Sequence, residues 1–527
     1  TMKTFNKILL AFLTIFLIVS CQDLEDLNKN PNQPDKVSTA TLLTGAQKKM
    51  MDYIYDTWFS GRQALPYAQY WSQRNYTEED RYQIRESVNN SYFNHLYVTA
   101  GNYVLIEKMN SDEATKAESA TYGSNNNQIA VAKILKVWLM QVIADTWGSV
   151  PYSEAFKLND GVTYPKYDDL EVLYPGFIDE LDEAIALIDE DEVAFTSGDR
   201  IYDGDATKWK QFANSLKCRI AIRLSKVDPN WRSYIDEAVA SGVFTSNDDE
   251  AMFKYSNEAP NECYFYRGFF VDGRNDFSIT KPFTDLLKGQ RDTLNNKQHP
   301  WEGVVDPRLP IYTTSRSGNY VGLPYGLPSN NMTTAIRNAA PTWYTSSPPT
   351  ILNKDFSVPL MTYAELCFIL SERYNWDRGW YEEGVRSSIE HWYALAGESA
   401  DQDELDEYVE SVSEVVNAET VATQKYIHLY MHGTEACSEY RRTGYPLTML
   451  KPGEFTYVVS GEKVPFTPLS ETKGDLPARV KYPTNESTLN PTGFSAAVAK
   501  LQDGTNNYYS KMYWDVRTAQ NPHPENK

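Results

Sequence analysis

From Gln128 to Trp147 the chain is apolar almost all round, with Ile129, Ala132, Leu135, Leu139 and Ile143 among its members. A helix with no polar face has to be enclosed by the rest of the protein. Gly148 follows it and Pro151 comes soon after, which is how a helix ends. This segment alone predicts a mainly α fold built round one central buried helix. Other segments read the same way. Ser38 to Trp58 reads as a helix. Tyr167 to Asp189 carries Leu170, Leu173, Phe177, Leu181, Ile185 and Ile188 at helical spacing, with a kink expected at Pro175. Asp205 is placed to cap a helix whose inner face is Trp209, Phe212, Leu216, Ile220 and Leu224. Helices resume at Leu360–Tyr374, Tyr381–Leu395 and Ala418–Tyr430. Thr456–Val459 and Lys463–Phe466, joined through Ser460-Gly461, read as a short hairpin.

Between about residues 241 and 358 the chain changes character and becomes rich in Gly, Pro, Asn and aromatics, as in Gly318 to Pro328. Loops this long inside a folded protein are usually functional. The 527 residues would fill roughly three or four average domains, or one large helical domain with long insertions. Fifty basic against 71 acidic residues give a net charge of −21. That excludes a broad nucleic-acid or anionic-membrane surface, which needs clustered Lys and Arg. With 41% hydrophobic residues the chain is neither a polytopic membrane protein nor disordered.

The N-terminus reads as a leader. Lys3 and Lys7 precede an apolar run from Ile8 to Val19, too short to span a bilayer and the right length for a signal peptide. Its end, Ile18-Val19-Ser20-Cys21, resembles a bacterial lipobox. Residues 1–20 are therefore expected to be a lipoprotein signal peptide, Cys21 the lipidated residue, and 21–37 a tether. Gln22-Asp23-Leu24-Glu25-Asp26 resembles the export signal of surface lipoproteins in the Bacteroidetes. No later segment is expected to span a membrane, so the acyl chains are the expected anchor.

Sequence patterns for catalysis are missing. There is no Gly-x-Ser-x-Gly, no P-loop and no dinucleotide fingerprint. His428 and His432 stand four apart, a zinc-capable spacing, but Leu429 occupies the place where a metalloprotease has Glu. They read as two histidines on a helix surface, and no metal is expected. Acidic pairs such as Asp179-Glu180 read as solvated helix faces. Asp199, Asp203 and Asp205 with Gly204 look like a calcium loop, though the chelating set of an EF-hand is incomplete. No cofactor is expected beyond a structural cation such as calcium at that turn. Cys218, Cys263, Cys367 and Cys437 are widely spaced, and Cys218 and Cys367 read as core residues.

What remains is aromatic and loop-borne. Tyr67, Tyr70, Trp71, Tyr76 and Tyr82 lie near Arg74, Asn75 and Arg81. Tyr264, Tyr266, Phe269 and Phe270 precede Asp272, Arg274, Asn275 and Asp276. Trp301, Tyr320, Tyr325, Trp343 and Tyr344 follow in the long loops. Rings flanked by Asn, Asp and Arg suit a sugar, whose C–H face packs on the ring while its hydroxyls bond to the polar groups. The same chemistry suits a peptide. The ligand-binding candidates are Tyr70, Trp71, Arg74, Tyr76, Arg274, Asn275, Trp301, Tyr320, Tyr325 and Trp343, with Trp71, Tyr70 and Tyr76 the densest group.

Several segments, in order, resemble the SusD/RagB family of nutrient-binding outer-membrane lipoproteins, in its SusD-like 2 branch. They are Leu27-Asn28 with Asn30-Pro31-Asn32; Asp145-Thr146-Trp147-Gly148-Ser149-Val150-Pro151-Tyr152; Tyr202-Asp203-Gly204-Asp205 with Trp209; Asp306-Pro307-Arg308-Leu309; Glu439-Tyr440-Arg441-Arg442-Thr443-Gly444; and Ala478-Arg479-Val480-Lys481-Tyr482-Pro483. The resemblance implies tetratricopeptide-like helix pairs with a large irregular loop-rich subdomain and short β-hairpins. It implies one domain over 38–527, with scaffold at 38–240 and 360–446 and loop-rich parts at 241–359 and 447–527. It implies a protein that faces outward from the outer membrane, held by its lipid, and lids a SusC-type TonB-dependent transporter. Its ligand would be an oligosaccharide, or in some members a peptide, handed on without catalysis. A secreted glycoside hydrolase is the more remote reading. In this family Asn214, Arg441 and Arg442 would pin helix ends.

Overall fold

The computed structural model describes residues 37–343 and 348–527. The expected signal peptide, Cys21, nearly all of the tether and Tyr344 lie outside the described residues. Ser38 caps the first helix, α1 (Thr39–Ile54), by accepting from the Thr41 amide at 3.1 Å. α2 (Glu86–Ser111) packs on α1 and on α3 (Asn125–Trp147), the central helix. α3 is buried along nearly its whole length, as its all-round apolar sequence requires. It stops at Gly148, whose φ of +92° a side chain would resist. The carbonyls left open at its end are met from afar. Arg441 Nη1 donates to Asp145 O at 2.8 Å, and Arg479 Nη2 to Trp147 O at 2.7 Å.

α4 (Leu170–Leu187) runs on through Pro175 and packs on α3 and on α5 (Ala206–Arg223). Asp205 caps α5 through the Lys208 amide at 3.0 Å, as expected. α5 pairs with α6 (Trp231–Ser241), and Asn214 pins the end of α6 by donating to Gly242 O at 2.9 Å. After the long loops come α7 (Tyr363–Arg373), α8 (Arg378–Leu395), α9 (Gln402–Val412), α10 (Ala418–His428) and α11 (Gly433–Thr443), with α12 (Pro491–Lys500) in the tail. α7 packs on α5, α8 and α10, so the two helical stretches form one body. Among the described residues every sheet has two strands, and no helix is long and apolar enough to cross a membrane. The fold is mainly α, with helix pairs and an irregular loop layer.

Charges, not only apolar side chains, join these helices. Arg219 on α5 makes a two-pronged contact with Glu365 on α7, at 2.7 and 2.6 Å. Arg223 reaches Glu435 at 2.6 Å and Glu439 at 2.7 Å on α11. Arg442 binds Glu372 at 2.6 Å and Glu439 at 2.9 Å. Burial alone would push the Glu435 carboxyl up, but Arg223, Arg219 and Lys425 outweigh it and hold it at about 2. Removing one partner of a buried pair of this kind leaves an uncompensated charge in the interior, so these contacts tie α5, α7 and α11 together.

The two histidines are not on a helix surface. His428 ends α10 and His432 precedes α11, and both are buried. His428 is hydrogen-bonded to Thr362 Oγ1 at 2.6 Å and Ser388 Oγ at 2.8 Å, because α7 and α8 close over it. The four described cysteines are free and buried, the role expected for Cys218 and Cys367. The acidic turn at 199–205 is organised by donors of its own surroundings. Asp199 accepts from Gln47 Nε2, Gly204 N and Trp209 Nε1 at 2.8–3.0 Å.

Candidate functional site

Two wide turns, each with i→i+5 hydrogen bonds, build an exposed aromatic platform. The first follows α1. Asp56 ends the helix region by accepting from the amides of Phe59 at 2.8 Å and Ser60 at 2.9 Å, and Gly61 N donates back to Asp56 O at 2.9 Å. This turn, Ser60–Ala64, is buried, yet Trp58 just before it is 36% exposed. The second turn, Arg267–Val271, closes through Asp272 N to Arg267 O at 2.9 Å, and Arg274 follows it. The turns touch at Gly268, where an added Cβ would lie 2.3 Å from Thr57 Cγ2. That contact brings Arg274 to Trp58, with its guanidinium carbon 5.1 Å from the ring centre, and Arg62 lies 4.5 Å from the same ring.

A strand pair delivers the rest. β1 (Trp71–Gln73) runs antiparallel to Phe277–Ile279, with Gln73 opposite Phe277. The segments just outside the pair, Arg74-Asn75-Tyr76 and Arg274-Asn275-Asp276, therefore lie side by side. Arg74 N donates to Asp276 O at 2.6 Å and Asn75 Nδ2 to Asp276 Oδ1 at 3.0 Å. Asp80 accepts from Ser72 Oγ at 2.6 Å and Gln73 N at 2.8 Å, and burial pushes its carboxyl up to about 7. Tyr76 is 39% exposed and carries the Arg85 guanidinium 5.2 Å above its ring. Glu79, buried between, links the two ends by pairing with Arg85 and with Arg62, the latter at 3.3 Å.

Of the sequence candidates, the structure brings Tyr76, Arg274 and Asn275 together on this surface. The others go elsewhere. Trp71 is wholly buried among Phe265, Phe277 and Trp343, at 5.3, 5.3 and 5.4 Å, and donates to the Tyr430 hydroxyl at 3.1 Å. Tyr70 stacks on Tyr426 at 4.7 Å, and Trp343 donates to Thr313 Oγ1 at 3.0 Å. Tyr325 packs on Phe466 at 5.2 Å, and Trp301 donates to Val412 O at 3.1 Å. These five rings already have protein on their faces and hold the core. Arg74 is buried as well and donates to the carbonyls of Ala340 and Pro341 at 3.2 and 3.3 Å. Tyr320 is half-buried, apart from the platform contacts. Trp58 escapes the sequence pattern, because Ser38 to Trp58 reads as one helix, whereas α1 ends at Ile54. Asp56, Thr57, Ser60 and Gly61 around it are turn formers that mark the helix end.

The platform offers two part-exposed rings, each with a guanidinium over it, and the exposed amides of Asn75 and Asn275. Such a surface stacks the apolar face of a sugar and bonds its hydroxyls. Comparison with known proteins agrees with the fold. The family SusD-like 2, described as starch-binding and associating with the outer membrane, matches residues 31–483. A solved chitin-binding protein is 26% identical, with a TM-score of 0.72 over 91% of this chain and 100% of its own. A SusD homologue from Parabacteroides distasonis is 20% identical, with a TM-score of 0.71 over 91% of this chain and 98% of its own. A chitin-binding SusD homologue from Flavobacterium johnsoniae is 20% identical, with a TM-score of 0.67 over 90% and 99%. No curated protein matches the chain by sequence. With the family match spanning most of the sequence and these folds superposing along nine-tenths of it, the chain belongs to the SusD-like family.

Proposed function

We propose that this protein captures oligosaccharides at the cell surface and delivers them to a SusC-type TonB-dependent outer-membrane transporter, which it lids. The observation that carries the reading is the open platform of Trp58, Arg274, Asn275 and Tyr76. An open platform suits a polymer that passes over the protein more than a small molecule that must be enclosed. The family description and the two chitin-binding relatives support a glycan as the ligand. The protein binds its ligand and releases it unchanged, with no cofactor, and acyl chains on Cys21 hold it to the outer membrane.

Affinity electrophoresis in gels containing starch or glycol chitin, with analysis of the sugar afterwards, tests the reading. Retarded protein with intact sugar supports it. Cleaved sugar makes the protein a hydrolase, and retention by peptides alone changes the ligand class. Mild-detergent purification should bring down a large barrel. Cys21→Ala should release or stall the protein, and normal surface display of that variant removes the anchor from the account.

A further inference from the structure

A long groove follows α2 away from the platform. It is formed by two adjoining cavities of about 710 and 750 Å³, both walled by Ala155 and Phe156. Ser87, Asn94, Tyr97, Gly101, Leu105 and Lys108 line it from one end of α2 to the other. At 1.5 Å per residue that floor is roughly 30 Å long. Phe156 stands where the cavities meet, 39% exposed, its ring 6.1 Å from Tyr97. Its φ is +63°, a left-handed conformation that a residue with a large side chain adopts at a cost in free energy. The exposed side chains of Ser87, Ser91, Asn94 and Asn485 make no hydrogen bond among the described residues. The one acid of this half, Glu486, already accepts from the Tyr167 hydroxyl.

We propose that this groove is a second carbohydrate site, taking an extended oligosaccharide with Phe156 as its central stacking ring, its neutral sugars at the Asn94 end and Lys108, Lys157 and Asp160 lining the other. Its length fits a linear polymer. The free hydroxyl and amide groups at one end match sugar hydroxyls, and that half carries no unpaired carboxylate to repel or select a charge. Ser87, at its start, is two residues from Arg85, which stacks on Tyr76 of the platform, so the two surfaces adjoin along the chain. The groove's residues are separate from the platform's. It rests on the reading of the protein as a glycan binder only in the choice of sugars used to probe it.

Calorimetry with maltoheptaose and chitohexaose on wild type, Trp58→Ala, Phe156→Gly and the double variant tests this. One of the sugars should bind wild type at two sites. Trp58→Ala should leave one, and adding Phe156→Gly should weaken that one by about tenfold or more. The melting temperature of Phe156→Gly should not fall, because glycine takes a positive φ freely. Asn94→Ala with Asn485→Ala, which remove only solvent-facing groups, should weaken the same site. A single wild-type site that Trp58→Ala alone abolishes overturns the groove and leaves the platform standing. So does unchanged affinity when Phe156→Gly is added to Trp58→Ala. Loss of all binding in Phe156→Gly with none in Trp58→Ala keeps the groove and overturns the platform. A wild type that binds neither sugar overturns both.

Discussion

Thr57 occupies the space that a side chain at Gly268 would need, with its Cγ2 only 2.3 Å from the position of the missing Cβ. The two wide turns meet through this contact, and Trp58 and Arg274 meet because the turns do. Gly268→Ala should therefore part Arg274 from Trp58, weaken sugar binding roughly tenfold and cost about 1–3 kcal/mol of stability, as overpacking does. Adding Thr57→Ala vacates the contact and should restore part of both losses. Calorimetry and thermal melts on the single and double variants read this directly, and independent, additive effects would show that the contact does not set the geometry.

Trp71 is core, so its removal acts on stability first. Trp71→Ala empties a space enclosed by Phe265, Phe277 and Trp343, and should cost about 3–5 kcal/mol. A denaturant titration in which this variant matches wild type would contradict its placement.

The charged seam between helices predicts a second stability effect. Arg223 is fully buried and faces Glu435, Glu439 and Asp145, the last at 3.3 Å. Arg223→Met keeps much of the volume but strands these carboxylates, and should destabilise by about 3–5 kcal/mol at pH 7. The deficit should shrink as pH falls, because the stranded carboxyls take up protons. Melts between pH 4 and 8 follow it, and a deficit independent of pH would contradict the pairing.

Asp56 gives a pH signature at the platform's base. Burial, only partly offset by backbone amides, pushes its carboxyl up to about 7, against 3.8 in the unfolded chain. A raised pKa means that the folded state holds the proton more tightly. Its favourable contribution is complete below about pH 4 and is lost as pH rises through 7. Asp56→Asn keeps the oxygen that accepts from Phe59 and Ser60. The variant should match wild type near pH 4 and exceed it at pH 8 in denaturant midpoint. Parallel stability curves would contradict the shift.

The sequence reveals some of this and hides the rest for identifiable reasons. α3 is legible because it is apolar all round, and α5 because Asp205 caps a clear inner face. α2 is not, since its buried side includes Asn89, Thr99 and Asn110 beside Tyr92, Leu96 and Ile106. α11 hides for the same reason, turning Glu435, Glu439 and Arg442 inward. At the site, the ring-and-amide chemistry is readable, but which rings face water is not. Trp71 is buried by Phe265 and Phe277, about two hundred residues away in sequence, and local pattern carries no trace of such partners. Tyr76 and Asn275 remain exposed, and Arg274 half-buried, because they lie just beyond the ends of the strand pair.

The central claim is that the Trp58 platform takes the sugar. The dissociation constants of wild type and Trp58→Ala for the polysaccharide that retards the protein, measured by calorimetry beside a thermal melt, test it most directly. Loss of one well-packed ring is worth about 1–3 kcal/mol, so affinity should fall about tenfold to a hundredfold while the melting temperature barely moves. Unchanged affinity in a folded Trp58→Ala protein would contradict the account.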